Sequence, residues 1–278
     1  MAAAYLKKHK DAIMLFYDSE FGSPQSYFEA FGIDTTRVLH TPIVDVERLK
    51  FDIIGQLENI ERSDKVIIVI DSIGNLASKK ELEDAINEKS VTDMSRAKAL
   101  KGLFRMITPY LTMRDVPLLA VNHTYMSLEM FSKATVSGGT GIYYSADNIW
   151  IIGRQQDKQG TEIKGYHFIV NIEKSRFVRE KSKIPISVSW EGGIERWSGL
   201  LDVGLAGNYV AKPSNGWYCR VDRSTGELVD PKFREKDTLT QEFWKPIFED
   251  TDFKEYVKSK YQIGLIPMDD AELDIEEA

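Results

Sequence analysis

Glu20, Asp71 and His123 are residues whose types and positions suggest chemistry, because each follows a run of apolar residues within three positions. The run before Asp71 is VIIVI, residues 66–70. An aspartate after an apolar strand is typical of the Walker B pattern, in which the carboxylate holds the water shell of a nucleotide-bound magnesium ion. Such an aspartate can also cap a following helix or turn, and the sequence leaves both interpretations open.

Glu20 is a candidate for the carboxylate that polarises a water molecule for attack on a terminal phosphate, a step that needs a positioned base more than a strong one. Exposed loop glutamates are common, so a solvated surface residue is the alternative. In doubly wound folds, ligands bind at the carboxyl ends of the strands. We therefore expect Glu20 and His123 to be neighbours of Asp71 there.

A Gly-rich loop of the form GxxxxGK[ST] usually binds the phosphates in such sites, through its backbone N–H groups and its lysine. The 278 residues contain no such loop. Their glycine clusters are SGGTG at 137–141 and EGGIE at 191–195, and neither is followed by Lys-Ser or Lys-Thr.

The elements that would position these residues alternate between strand and helix. Strand patterns occur at 12–18, 37–41, 66–71, 117–123 and 148–153. Helical patterns occur at 25–31, 45–61 and 93–112. Because the strands are apolar throughout, the order predicts an α/β fold with a mostly parallel sheet that has helices on both faces.

Later in the chain the strands are consecutive. The segments YHFIVNIEKS and KIPISVSWE predict an antiparallel extension of the same sheet. From Gly199 onward, short helices, a GWY turn and the amphipathic run EFWKPIFEDTDFKEYVKSKY predict a small C-terminal subregion. We divide the chain into a core at 1–198, this subregion at 199–265 and an acidic tail at 266–278.

The composition, with 42% hydrophobic and 28% charged residues, is that of a globular protein. The single cysteine excludes an intrachain disulfide and no segment reaches the roughly 20 apolar residues that span a bilayer, so we expect a cytoplasmic protein outside the membrane. The net charge of -7 argues against a surface that coats nucleic acid. Residues 269–277 hold six acidic residues and no basic one; this tail either adds solubility or competes with a polyanion for a basic groove.

Five segments together resemble the RecA superfamily and, within it, the recombinases of T-even phages. They are LFYDSEFGSPQSYFEAFGID, VIIVIDSIGNLASKKELEDA, NHTYMSLEMFSKATVSGGTG, NIEKSR and SGLLDVGL. The resemblance implies an ATPase that uses ATP and Mg²⁺, forms a filament on single-stranded DNA and exchanges strands with double-stranded DNA in the host cytoplasm. Mediator and single-strand-binding proteins are implied partners. The resemblance also implies that the phosphate loop lies upstream of Met1, so we expect this chain alone to hydrolyse ATP poorly or not at all.

The resemblance implies roles for the strand-end residues. Glu20 corresponds to the catalytic glutamate and Asp71 to the aspartate that serves magnesium. His123 corresponds to the polar residue that senses the terminal phosphate and relays its state to a DNA loop. Tyr27 corresponds to the tyrosine that stacks on adenine, although packing in the core would also explain it.

Lys174 and Arg176 correspond to two basic residues that reach the nucleotide of a neighbouring subunit. Alternation along a strand places both on one face, where they can contact one anion together. A solvated pair at a sheet edge has the same pattern.

Two segments correspond to DNA-binding loops, at about 77–93 and about 124–137, and Gly138 and Gly139 close the second. Glycines suit a backbone that approaches phosphates closely, or a hinge. Phe131 and Lys133 place an apolar ring beside a cation, which single strands favour, although Phe131 could equally pack on a neighbouring subunit.

The helix predicted at 93–112 has an apolar stripe, with Lys98, Lys101 and Arg105 on the opposite face. We interpret these three as a solvated face. Arg96 lies near the stripe at the helix start, next to the first loop, and is our candidate for a DNA contact.

Two other functions fit parts of the sequence. One is a nonenzymatic accessory protein without a phosphate loop, which binds DNA or a recombinase filament; the retained Glu20, Lys174 and Arg176 count against it. The other is a RecA-fold ATPase such as a helicase, and the second-loop sequence with its glycine pair counts against that.

Overall fold

The computed structural model describes residues 1–88, 95–126, 134–159, 162–190 and 193–263. The chain forms two compact units, Met1–Ala146 and Asp147–Ala278. The first unit contains the strand-end residues and the second contains Lys174 and Arg176.

The first unit alternates strands with helices. Its strands are β1 (Ile13–Asp18), β2 (Val38–Pro42), β3 (Val66–Asp71), β4 (Leu118–Ala120), β5 (Thr124–Met126) and β6 (Ala134–Val136). Its helices are α1 (Ala2–Lys8), α2 (Gln25–Ala30), α3 (Val46–Asn59), α4 (Lys79–Ile86), α5 (Ser95–Arg114) and α6 (Thr140–Ser145). Strands β1 to β4 pair in parallel in the order β2-β1-β3-β4, whereas β5 and β6 form an antiparallel pair.

Apolar stripes on two helices build the main core of this unit. Helix α3 is capped at its N-terminus by Asp45, whose side chain accepts a hydrogen bond from the Arg48 amide at 2.7 Å. Helices α3 and α5 pack their buried residues against β3, each fully buried leucine contributing about 1.5–3 kcal/mol. The buried residues of the two helices are Val46, Leu49, Ile53, Leu57, Leu100, Leu103, Phe104 and Ile107.

A smaller apolar cluster includes residues of β1, α1 and α2. Leu6 and Phe28 pack there with Met14 and Phe16. Because β1 is buried along nearly its whole length, its direction and its end point are fixed by packing as well as by hydrogen bonds.

The second unit contains antiparallel sheets and short helices. Its strands are β7 (Asn148–Gln159), β8 (Glu162–Ser175), β9 (Lys183–Ser189), β10 (Gly193–Ile194), β11 (Val210–Ser214), β12 (Trp217–Val221) and β13 (Leu228–Arg234). Its helices are α7 (Leu200–Ala206), α8 (Gln241–Asp250) and α9 (Phe253–Tyr261). An aromatic cluster around Tyr209, Phe243, Trp244 and Phe253 forms its core.

The predicted α/β class with a parallel sheet is confirmed, but one detail differs. Strands β7 to β10 form a sheet of their own, in the order β10-β9-β8-β7, and do not extend the parallel sheet. β7 pairs with β8 along most of its length, and among the described strands it has no other partner. Consecutive strand patterns predict such antiparallel neighbours but do not specify whether they join an earlier sheet. The predicted division at residue 198 stays a prediction.

Every helix in the described ranges is too short or too polar to cross a lipid bilayer.

Candidate functional site

The carboxyl ends of β1, β3 and β4 bring the three predicted strand-end residues together. Asp18 and Asp71 are register partners on adjacent strands, and His123 follows β4, which pairs with the other side of β3. His123 Nε2 lies 3.5 Å from Glu20 Oε1, with both side chains about half exposed. Glu20, Asp71 and His123 are therefore neighbours, as expected, and we call these three residues the strand-end site.

The pKa of Asp71 is raised above its ordinary value. Burial raises it first, the negative charges of Glu20 and Asp18 raise it further, and His123 partly opposes them. Among the described residues, no side-chain hydrogen bond to Asp71 is formed, and the next helix, α4, is capped by Ser78 instead. Within the described part of the chain, Asp71 therefore caps neither the next helix nor a turn.

The neighbouring carboxylates of Asp18, Glu20 and Asp71 favour the binding of a cation. The fully buried Ser72 hydroxyl, next to Asp71, also has no hydrogen-bond partner within the described part of the chain. In those ranges no three His, Cys, Asp or Glu side chains are grouped as ligands of a metal ion. The Asp71 carboxylate and the Ser72 hydroxyl are nevertheless donors that suit Mg²⁺, which binds through one or two carboxylates together with water and substrate phosphates.

Asp18, which we did not predict, is the carboxylate that builds the site. It is 2% exposed, and its Oδ1 accepts hydrogen bonds from the amides of Glu20 and Phe21 at 3.0 and 2.7 Å. Its Oδ2 lies 3.0 Å from Nε2 of His40. The sequence signal was an aspartate two residues before Glu20, which favours a turn closed by the side chain.

Two serines join the ends of β1 and β3. Ser19 Oγ donates to the carbonyl of Ser72 at 2.6 Å and accepts from the Ser72 amide at 3.0 Å. The Ser19 amide donates to the Asp71 carbonyl at 2.8 Å. These bonds fix the turn that carries Glu20 relative to Asp71.

His123 is held by backbone contacts on both sides. The Asn122 side chain accepts from the His123 amide and donates to the carbonyl of Ser137, while the Ser137 amide donates to the carbonyl of His123. On the other side, a Cβ added to Gly74 would lie 2.6 Å from His123 Nδ1. Glycine at position 74 therefore makes room for the imidazole.

Tyr27 is at the surface, and its neighbour in sequence forms the core contact. Tyr27 is 50% exposed and Phe28 only 4%. The ring of Tyr27 meets that of Phe31, itself half exposed, edge to face at 5.2 Å. Core packing therefore accounts for Phe28, and Tyr27 leaves an aromatic surface free for stacking.

Helices α5 and α6 line a groove that bears positive charge. We define this basic groove by Lys98, Lys101, Arg105 and the stretch Gly138–Gly141; its two adjoining cavities measure about 660 and 400 Å³. The three basic side chains are exposed, as expected. We had not assigned them a ligand, although α5 has no acidic residue in 20 positions, a signal that could have marked this face.

Two family models match the chain. RecA N-terminal domain matches residues 2–195, and Bacteriophage T4, Recombination and repair protein, C-terminal domain, matches residues 197–257. The first covers well over half of the sequence. The chain belongs to the RecA family.

Relatives agree with this placement. The Recombination and repair protein of Enterobacteria phage T4 is 50% identical over 270 residues, which are 96% of this chain and 69% of that protein. Protein RecA of Sulfurimonas denitrificans is 25% identical over 274 residues, 95% of this chain and 74% of that protein. Protein RecA of Salinispora tropica is 24% identical over 243 residues, 85% and 68%. The resemblance to T-even phage recombinases is confirmed.

The first DNA loop expected in this RecA-family chain is partly helical. Helix α4 occupies residues 79–86 and begins with a capping box, in which Ser78 and Glu81 exchange side-chain to backbone hydrogen bonds. The sequence signal for this helix is Ser-x-x-Glu, which is typical of a helix start and lies within the expected loop. Residues 89–93 of that loop lie outside the described residues.

The second expected loop, 124–137, includes the antiparallel pair β5 and β6 near its two ends. Phe131 and Lys133 lie outside the described residues, so their proposed DNA contacts stay predictions. Gly138 and Gly139 have φ values of +92° and +83°. A Cβ at Gly138 would also lie 2.6 Å from the Ile142 side chain, so conformation and packing both require this glycine.

Arg96 faces inward. We expected a DNA contact, but its guanidinium donates to the backbone carbonyls of Ile73, Gly74 and Leu76. Its hydrogen-bonding capacity is thus largely used within the fold, and the exposed cations of α5 are the better candidates for a RecA-family DNA contact.

Lys174 and Arg176 lie in the second unit. Lys174 is in β8, partly buried, and Arg176 follows the strand end, so strand alternation alone does not set their common direction. Arg176 Nε lies 2.9 Å from Asp147 Oδ1, and both side chains are 62% exposed. Their role toward a neighbouring nucleotide stays a prediction.

Proposed function

We propose that this chain is the core of a phage RecA-type recombinase. The recombinase binds single-stranded DNA with ATP and magnesium, pairs it with homologous double-stranded DNA and exchanges strands in recombination, repair and replication. The observation that carries the proposal is the grouping of Glu20, Asp71 and His123 at the carboxyl ends of neighbouring strands, with His123 hydrogen-bonded to Ser137, the residue before Gly138 of the basic groove. Relatives named Recombination and repair protein and Protein RecA support it.

The strand-end site has the groups that phosphoryl transfer requires. Bound Mg²⁺ would supply electrostatic stabilisation of phosphate charge. Asp71 would hold the water shell of the ion, and the positive charge of the ion would oppose the burial and the acidic neighbours that raise the pKa of Asp71. Glu20 orients and polarises the attacking water from a turn that Asp18 fixes.

His123 connects nucleotide state to DNA binding in this proposal. Its imidazole is within reach of Glu20 and can hydrogen-bond a terminal phosphate. Its backbone pairs with Ser137, immediately before Gly138. Tyr27 supplies the exposed ring for adenine.

The basic groove is the DNA-binding surface that the described residues support. Lys98, Lys101 and Arg105 neutralise backbone phosphates, and the backbone at Gly138 and Gly139 can approach them closely. Arg96 is not part of this assignment. Phe131 and Lys133 remain proposed contacts of the second loop.

Assembly completes the site. In a filament we assign Lys174 and Arg176 to the nucleotide of the next subunit. The exposed pair of Arg176 with Asp147 is worth only about 0.2–1 kcal/mol, so Arg176 can exchange it for a phosphate. We also propose that mediator and single-strand-binding proteins are its partners and that it acts in the host cytoplasm.

Single-strand binding tests the DNA assignment. A fluorescent oligo(dT) should bind to the 278-residue chain at low salt, with an affinity that falls as salt rises. Lys101→Glu should weaken binding and reduce the salt slope by about 0.7 for each DNA phosphate that the variant no longer neutralises. Lys10→Glu, an equal charge change at an exposed position after α1, should change both much less. A wild-type chain that does not bind oligo(dT) would contradict the proposal.

ATP turnover tests the enzymatic assignment. The 278 residues contain no GxxxxGK[ST], so we propose that they hydrolyse ATP slowly or not at all by themselves. A chain extended at its N-terminus with the corresponding segment of the T4 relative should hydrolyse ATP in the presence of single-stranded DNA, and Glu20→Gln in that chain should abolish turnover. Turnover by the unextended chain near that of the extended one would refute this point.

A nonenzymatic accessory protein is the second candidate, because the basic groove forms within this chain without a phosphate loop. Strand exchange by the extended chain would favour the recombinase. DNA binding without strand exchange would favour the accessory protein, and unwinding in a parallel helicase assay would favour a RecA-fold helicase.

A further inference from the structure

The segment that follows Asp71 is held by one side chain. Arg96 Nε donates to the carbonyl of Leu76 at 2.6 Å, and its Nη2 donates to the carbonyls of Ile73 and Gly74, both at 2.9 Å. A planar guanidinium that engages three acceptors fixes their geometry more strictly than a single hydrogen bond can. The segment 73–76 is thereby tied to the first turn of α5.

The same segment contacts the strand-end site. The backbone of Gly74 lies so close to the imidazole of His123 that no Cβ fits between them. The Ile73 amide donates to the carbonyl of Val121 at 2.9 Å, two residues before His123. The segment 73–76 therefore lies between His123 and Arg96.

Both walls of the basic groove are thus connected to the strand-end site. The α6 wall is connected through Ser137, which pairs with His123 and precedes Gly138. The α5 wall, which carries Lys98 and Lys101, is connected through Arg96. A groove whose two walls share one anchor changes width when that anchor moves.

We infer that Arg96 is a positioning residue that couples the strand-end site to the α5 wall of the basic groove. A shift of His123 or Gly74 displaces the carbonyls that Arg96 binds, and Arg96 then moves the first turn of α5. The effect on DNA affinity rests on the proposed DNA binding. The path from Gly74 through Arg96 to α5 does not.

A double-mutant cycle tests the coupling. Gly74→Ala displaces segment 73–76 from the imidazole, and Arg96→Gln removes the guanidinium. Two quantities are measured for the four proteins: amide hydrogen exchange in the peptide that covers the first turns of α5, and affinity for oligo(dT). A coupling energy remains after the single effects are subtracted only when the two positions communicate.

The coupling predicts a nonadditive result. Gly74→Ala alone should speed exchange at the start of α5 and change the oligo(dT) affinity by about 2-fold to 30-fold, the range seen for mutations that modulate coupling. In the Arg96→Gln background, Gly74→Ala should change neither quantity further. Arg96→Lys, which keeps the charge but not the planar fork, should give an intermediate response.

Two further variants keep the test decisive. Gly102→Ala alters α5 at a position where an added Cβ meets no atom within 4 Å beyond the neighbouring backbone of its own helix, so its effect should add to that of Arg96→Gln. If Gly74→Ala does not fold, His123→Ala perturbs the same contact from the other side. Equal effects of Gly74→Ala with and without Arg96 would overturn the inference. A wild-type chain that fails to bind oligo(dT) would overturn the proposed function instead, and the exchange measurements would still decide the role of Arg96.

Discussion

Asp18 and Asp71 are register partners on adjacent parallel strands, yet their hydrogen bonding differs. Asp18 accepts from two backbone amides and lies beside His40, whereas among the described residues the Asp71 side chain has no hydrogen-bond partner. Partners of this kind stabilise an ionised carboxylate, and without them burial and then the neighbouring acids raise the pKa of Asp71. The first carboxylate thus builds the turn, and the second is available to a ligand.

This difference predicts opposite effects of the same substitution. Asp71→Asn should raise the midpoint of thermal unfolding at pH 7. Because the folded state raises the pKa of Asp71, ionisation costs stability as the pH rises through the folded pKa, and no cost remains below the ordinary value of 3.8. The gain should therefore shrink as the pH is lowered toward 4, measured by circular dichroism across a pH series.

Asp18→Asn is the matched control. The amide cannot reproduce all acceptor contacts of the carboxylate, so unfolding free energy should fall by about 1–3 kcal/mol at pH 7. A loss of stability in Asp71→Asn equal to that in Asp18→Asn would contradict the division of roles.

Tyr27 and Phe28 provide a test of surface against core. Tyr27→Ala should change the unfolding free energy by less than about 0.5 kcal/mol, as expected for an exposed side chain. Phe28→Ala should lower it by about 3–5 kcal/mol because it empties a buried site. Chemical denaturation measures both. A large loss in Tyr27→Ala would return Tyr27 to the core and remove the case for adenine stacking.

Substitution of Gly138 by alanine should lower the unfolding free energy more than the same substitution at a glycine whose positive φ is its only constraint. Gly138→Ala adds a side chain at φ +92° and into Ile142, so overpacking of about 1–3 kcal/mol adds to the conformational cost. Gly32 has φ +68° with no atom within 4 Å of an added Cβ, and Gly32→Ala should cost about 1–2 kcal/mol from conformation alone. Equal losses in urea unfolding would refute the packing role of Gly138.

The acidic tail should oppose DNA binding. Residues 269–277 carry six acidic residues, and a polyanion competes with DNA phosphates for cations. Deletion of residues 269–278 should strengthen oligo(dT) binding at moderate salt and steepen its salt dependence. Neutral replacement of the six acids in a tail of full length is the control, because it should have the same effect. Unchanged affinity in both variants would reduce the tail to a solubilising segment.

Helices and strands could be predicted where their sequence signals lie within the element itself. The strands ending at Asp18 and Asp71 were found within one residue because continuous apolar runs of five or six residues are typical of buried parallel strands. The strand at 117–123 proved shorter, since Asn122 and His123 leave the sheet to bond with Ser137. Helix α4 was missed although its capping box is local.

The sequence by itself determined that Glu20, Asp71 and His123 stand at strand ends, because periodicity and parallel order are properties of neighbouring residues. It also determined family membership. Only the tertiary structure decided that Asp18 rather than Asp71 is the satisfied carboxylate, that Arg96 turns inward, and that the cations of α5 face a groove. Each of these depends on which atoms lie opposite after distant segments pack, and the spacing of residues along one helix or strand carries no information about that partner.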